Sequence, residues 1–265
     1  GIRSLVNTAA ARGEYLLLKE LRMFGLKHIN DSTMAGLGRA APYLEVLDLS
    51  YVRQLHNTAV EAFVACRDDE EEDEENGFKI VCLNACEAGR SIDESSRYRR
   101  RVTQLHHLSL SSCLLLTDAA CSNLAYFIPE LQYLELAGIG SSLEDEGLIR
   151  LLNITPLIKR LDLEDASSIS DVVITTLTPA PLEEQDPDAA NAAPESPLEH
   201  LIISGALDVT DDALLALIQN CPCLTVLEAD NTRMGPTVLR AFIRAARSRK
   251  LQDVLLSRLV SCTRS

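Results

Sequence analysis

A pattern L-x-x-L-x-L recurs almost in step along the chain, and a fixed period of this kind constrains the fold more tightly than any single motif. Its first positions fall at Leu18, Leu44, Phe78, Leu105, Leu131, Ile158, Leu198, Leu224 and Leu251. The intervals are 26, 34, 27, 26, 27, 40, 26 and 27, so six of the eight steps are 26 or 27 residues. The two long steps coincide with an acidic run and a Pro-rich stretch. They predict loops inserted at 67–77 and 179–197 into a single domain spanning 1–265.

Within each period the alternation of apolar residues first has a repeat of two and then the i, i+3 spacing of a helix. The helical pairs are Met34 and Leu37, Val60 and Phe63, Cys121 and Leu124, Leu148 and Leu151, Ile174 and Leu177, Leu214 and Leu217, and Leu239 and Phe242. Three residues past each strand stand Leu26, Val52, Cys86, Cys113, Ile139, Ala166, Ala206 and Thr232, read as a buried ladder. Asp31, Asp118, Asp145, Asp171 and Asp211 open the helices, where a carboxylate can accept the free N–H groups of the first turn. One strand and one helix cannot bury their own apolar faces, so the units must stack. The fold class expected is an α/β solenoid, an arc of about nine short parallel strands on the concave face with helices on the convex face. A doubly wound domain would need longer strands and a Gly-rich phosphate loop, and neither occurs.

Charge narrows the partners. The net charge is −14, of which Asp68 to Glu75 supply eight negative charges and the remaining chain −6. A surplus of carboxylates is the wrong sign for phosphate backbones, so no direct nucleic-acid partner is expected. Eight scattered Cys suit a reducing compartment, which points to cytoplasm or nucleus. No apolar run approaches the ~20 residues that cross a bilayer, so no membrane partner is expected either. The chain opens at Gly1 and enters a helical pattern at once, which suggests a domain excised from a longer protein.

Chemical motifs are missing. Cys82, Cys86, His106, His107 and Cys113 lie close in sequence, but the repeat sends them to different faces and no paired short Cys spacing joins them. Cys221-Pro222-Cys223 is shorter than a redox C-x-x-C and reads as a turn. The reading is therefore of no enzyme, with no catalytic residue, no metal and no cofactor.

Function then rests on the concave wall, where residues flanking the inward Leu of each strand emerge. From the fourth unit onward these include His107, Tyr133, Glu135, Arg160, Asp162, Glu164, His200, Glu228 and Asp230. The carboxylates suit a protein partner bearing Lys or Arg, and the His and Tyr side chains suit central contacts. A solvated polar face accounts for the same residues. Residues 90–101, with Arg90, Arg97, Arg99, Arg100 and Arg101, break the pattern. They read as a solvated convex loop drawn to the chain's own acidic run, or as a site for an acidic or phosphorylated partner. The acidic run reads as a disordered insertion.

The period of 26, Cys86 and Cys113 on the ladder, and the segments LTDAACSNLAYFIPELQYLEL and VTDDALLALIQNCPCLTVLEA resemble the cysteine-containing leucine-rich repeats of F-box proteins, over nearly the whole chain. LEADNTRMGPTVL with RAFIRAARSRK is similar to terminal repeats of fungal members. The resemblance implies substrate recognition within an SCF-type ubiquitin ligase. Residues 1–17 carry no F-box pattern, so the resemblance implies that the SCF adaptor docks only through a segment outside this chain. Leucine-rich-repeat scaffolds of DNA repair and mitotic exit share the same repeat subclass. A regulator of a GTPase would use a longer repeat type.

Overall fold

The computed structural model describes residues 2–68, 70–73, 79–85, 87, 97–179 and 196–248. The elements are α1 (Ile2–Arg12), β1 (Glu20–Arg22), α2 (Asp31–Ala40), β2 (Val46–Asp48), α3 (Asn57–Val64), β3 (Lys79–Leu83), β4 (Tyr98–Val102), β5 (His107–Ser109), α4 (Asp118–Leu124), β6 (Tyr133–Glu135), α5 (Asp145–Leu152), β7 (Arg160–Asp162), α6 (Asp171–Leu177), β8 (His200–Ile202), α7 (Asp211–Asn220), β9 (Val226–Glu228) and α8 (Pro236–Ser248).

Seven strands form one parallel sheet in the order β1-β2-β5-β6-β7-β8-β9, with each helix packed on the next along one side. The chain is an α/β leucine-rich-repeat solenoid. Strands stand about 4.8 Å apart and packed helices about 8–10 Å. Stacking one of each per unit forces curvature, with the strands on the inner side. The middle residues Leu47, Leu108, Leu134, Leu161, Leu201 and Leu227 are in register and buried, and they join the inward helix residues in one continuous core.

Five residues past the first residue of every strand in this sheet, the backbone turns left-handed: Gly25 (φ 64°), Tyr51 (62°), Ser112 (59°), Gly138 (69°), Asp165 (64°), Gly205 (87°) and Asn231 (54°). This bend sends each strand outward to its helix. Gly, Asp and Asn predominate because that conformation penalises most side chains. The next position is the ladder, and Val52, Cys113, Ile139, Ala166, Ala206 and Thr232 are buried there. Thr232 remains compatible by donating its hydroxyl to the Ala229 carbonyl at 2.7 Å. Leu26 departs from the ladder and is 45% exposed; Cys86 lies outside the described residues.

The helix-opening Asp residues do something other than expected. The N-caps are one residue earlier, at Asn30, Thr117 and Ser170, whose side chains accept first-turn N–H groups. The Asp carboxylates reach along the stack instead. Asp145 accepts from Ser170 N (2.9 Å) and Oγ (2.5 Å), Asp171 from Thr210 N and Oγ1 (2.7 Å each), and Asp211 from Gly235 N (2.7 Å). Asn57 plays the same part toward Thr117. The starts of α3, α5, α6 and α7 are thereby tied to the cap of the following unit. In α8 the buried pair is Val238 and Phe242, with Leu239 only half-buried.

The third predicted unit is not a repeat. β2 pairs directly with β5, and β3 forms a separate antiparallel hairpin with β4, in the register Ile80↔Arg101 and Cys82↔Arg99. Of the nine strands expected on the wall, seven are present among the described residues. The unit starting at Leu251 and most of 179–197 lie outside them.

Arg99, Arg100 and Arg101 lie in β4, which overturns their reading as a solvated loop; Arg97 is exposed just before it, and Arg90 lies outside the described residues. Arg99 donates to the carbonyls of Arg67 (2.8 Å), Asp68 (2.6 Å) and Glu70 (2.5 Å). Arg100 pairs with Glu61, its guanidinium 5.2 Å from the Tyr98 ring centroid. Arg101, 2% exposed, pairs with Glu70 at 2.7 Å and donates to the Phe63 carbonyl at 3.1 Å. The described part of the acidic run is thus bound to its own hairpin, and Glu72 also accepts the Ile80 N–H at 3.0 Å. Gly38 in α2 makes room for this packing: a Cβ there would fall 1.9 Å from the Phe63 carbonyl oxygen and 2.8 Å from Arg101 Nη1.

Candidate functional site

The parallel register sorts the sheet's outer face into rows. The first row reads Glu20, Val46, His107, Tyr133, Arg160, His200, Val226, and the second Arg22, Asp48, Ser109, Glu135, Asp162, Ile202, Glu228. A third row, two residues further on, includes Glu164 and Asp230. All nine residues singled out from the sequence therefore stand on one face. Over β5 to β8 the first row carries two imidazoles, a phenol and a guanidinium, and the carboxylates stand on the second and third rows.

Five of the nine form one contiguous group. His107 Nε2 lies 3.6 Å from Glu135 Oε1, and Arg160 Nε lies 4.0 Å from the same oxygen. Arg160 Nη2 is 3.7 Å from Asp162 Oδ2. Tyr133 leans on His107, with ring centroids 5.8 Å apart. His107 Nε2 and Arg160 Nε are shielded from solvent, and neither contact meets hydrogen-bond geometry. His200 joins the group across a depression of about 370 Å³, lined also by Lys159 and Glu199. Glu228 and Asp230 are separated from it by the Ile202 strand.

Two neighbouring carboxylates are driven in opposite directions. His107 chiefly, with Ser109 and Arg160, holds the Glu135 carboxyl below its ordinary value against the effect of burial. Burial dominates at Asp162 and pushes its carboxyl up, despite the Glu164 N–H at 3.2 Å and the Arg160 guanidinium.

Lys159 and Glu199 did not emerge from the sequence because they precede the strands and fall outside the two-residue alternation; their position just before a first-row residue was the available signal. A second feature was also missed. Phe24 and Tyr51 stack at the start of the same face, ring centroids 4.8 Å apart and tilted by 46°. They are 62% and 47% exposed.

Elsewhere, burial raises Cys66 and Cys113 to about 11 and Cys121 to about 12, so these stay as thiols at neutral pH. Among the described residues no group of three or more His, Cys, Asp or Glu is placed to hold a metal ion. No described helix is long and apolar enough to cross a membrane.

No protein-family model matches the chain, and no curated protein matches it. Among solved structures it is similar to the yeast Rad7 and Elc1 complex, with TM-score 0.41 and 16% identity, covering 86% of this chain and 66% of that one. It is likewise similar to human 5T4 (Wnt-activated inhibitory factor 1, trophoblast glycoprotein), with TM-score 0.41 and 16% identity over 83% of this chain and 68% of that one.

Proposed function

We propose that the sheet face binds a protein partner through a segment rich in Lys or Arg, and that the chain acts as an interaction module rather than a catalyst. The observation that carries this is the set of carboxylates on the second and third rows, with Glu135 and Asp162 side by side in the parallel register, Glu164 next to them, and Glu228 and Asp230 one strand beyond Ile202. Positive side chains approaching this face gain attraction and a faster encounter. Burial of Asp162 adds to the effect, because a carboxylate raised by desolvation gains from a cation that neutralises it.

In the fuller form of this reading the module selects the substrate of an SCF-type ubiquitin ligase, and a segment outside this chain docks the adaptor. Support comes from the repeat pattern and its cysteine positions. The test joins both levels. The natural protein, tagged in cells, is expected to co-purify a partner that is lost when Glu135, Asp162, Glu164 and Glu228 are all changed to Lys. That partner is expected to accumulate under proteasome inhibition and on depletion of the protein. Unchanged capture by the reversed protein would remove the acidic wall from the reading. A captured partner whose level ignores both treatments would leave a binding scaffold and discard the ligase role.

A further inference from the structure

Tyr51 occupies a position that the rest of the stack gives to small or turn-forming residues. Among the described residues, the equivalent left-handed positions hold Gly25, Ser112, Gly138, Asp165, Gly205 and Asn231. A large aromatic residue at φ 62° is disfavoured for an L-amino acid. Burial does not offset that penalty, since the residue is 47% exposed and its ring contact is with Phe24, itself 62% exposed. Tyr126 (φ 74°) shares the conformation in the turn after α4; Tyr51 differs in standing at the rim of a candidate binding face against a second exposed ring, a placement that points to a ligand.

The surroundings indicate which kind. Asp48, on β2 just before the Tyr51 bend, belongs to the acidic second row and leads through Ser109 to Glu135 and Asp162. Of the cations nearest in sequence, Arg22 is neutralised by Glu20 at 2.6 Å, and Lys27 and Arg53 are exposed. Three strand spacings, about 14 Å, separate the Tyr51 unit from that of Asp162, a span that about four or five extended residues cross. A basic segment that extends from Glu135 and Asp162 toward β1 by that distance reaches the aromatic pair.

We propose that Phe24 and Tyr51 form a stacking seat for an arginine of the bound segment, which makes the face selective for arginine over lysine. This rests on the reading of the sheet face as a site for basic segments. Carboxylates attract both cations, but the planar, weakly hydrated guanidinium stacks on aromatic faces far better than a compact ammonium.

The test uses fluorescein-labelled peptides of alternating Arg–Ser and Lys–Ser sequence, titrated by fluorescence anisotropy at physiological salt against the whole chain. The Arg–Ser peptide is expected to bind about two- to fivefold more tightly, the range an exposed cation–π contact provides. Tyr51→Gly and Phe24→Ala should each bring that ratio to one and leave Lys–Ser affinity unchanged. Tyr51→Gly should also melt no lower than the parent, because it relieves the backbone, whereas a merely structural tyrosine would lower the Tm. Changing Glu135 and Asp162 to Lys should weaken both peptides alike, so a failure there strikes the acidic-wall reading. A parent ratio of one, absence of binding by either peptide, a preference that survives both aromatic substitutions, or a lower Tm for Tyr51→Gly would each overturn the arginine seat.

Discussion

The stack from β5 to β9 and the insertion between α3 and β5 bury their chains by opposite means. In the stack each unit repeats a Leu in the strand and a small or apolar residue on the ladder, and the units of α5, α6 and α7 add a carboxylate that grips the next unit's cap. No single group in it carries much. In the insertion Val81, Leu83 and Tyr98 join the core, but Arg99, Arg100 and Arg101 are packed as well, satisfied by carbonyls and by Glu61 and Glu70. Charge that the stack keeps on its open face is buried by the hairpin. The lesson is that a period can be interrupted without breaking the sheet, since β2 closes directly on β5, provided the extra chain satisfies its own polar groups.

The largest effect should come from breaking the hairpin's buried pair. Arg101→Ala leaves Glu70 with its charge partner removed and should cost about 3–5 kcal/mol. Changing Arg101 to Met and Glu70 to Leu together removes both charges and should recover most of that loss. Urea midpoints of the two variants decide it. If Arg101→Ala shifts the midpoint no more than a surface substitution, the two regions are not held by different means.

A smaller effect is expected in the stack. Asp171→Ala removes both hydrogen bonds that fix Thr210 at the start of α7 and should cost about 1 kcal/mol. Asp31→Ala should cost less, because among the described residues it reaches the next unit through one 3.2 Å hydrogen bond, from the Thr58 hydroxyl. Equal losses at the two positions would mean that these links contribute nothing beyond surface polarity.

The same contrast governs how much could be read from the sequence. Spacing was sufficient for the stack, because burying a Leu every 26 or 27 residues is the physical requirement itself. It misled at Phe78, where Phe-x-x-Val-x-Leu satisfies the pattern through Val81 and Leu83. Alternation describes a parallel and an antiparallel strand equally, and the partner Tyr98–Val102 consists mostly of arginine. The Asp residues were legible as helix starts but not as links between units, since a bond across 25 or 39 residues leaves no local trace. The left-handed column, with Gly, Asp and Asn recurring at a fixed offset, was available to be read and would have marked Tyr51 as the exception. The rows of the candidate site followed from two-residue alternation. Their contacts did not, since Glu135 meets His107 and Arg160 only through side-chain conformation.

The smallest expected effect lies on the open face, where Glu135 supplies the stack's counterpart to the hairpin's buried ion pairs. Its folded pKa is lowered, so its contribution is present above the unfolded value and is lost as pH falls through the folded one. Asp162 is raised, so its contribution has the opposite sign: it is present below the unfolded value and lost as pH rises through the folded one. The two oppose each other in one acidic window, and the net slope of stability there should be shallow. Glu135→Gln removes the first and leaves the second. Relative to the parent, the variant should be less stable at neutral pH and should close that gap as the solution is acidified past the folded pKa of Glu135. Thermal melts of both proteins across that range check the sign. A gap that stays constant with pH would show that His107 and Arg160 do not stabilise the Glu135 charge, and the group would then be a solvated surface of the kind the hairpin avoids.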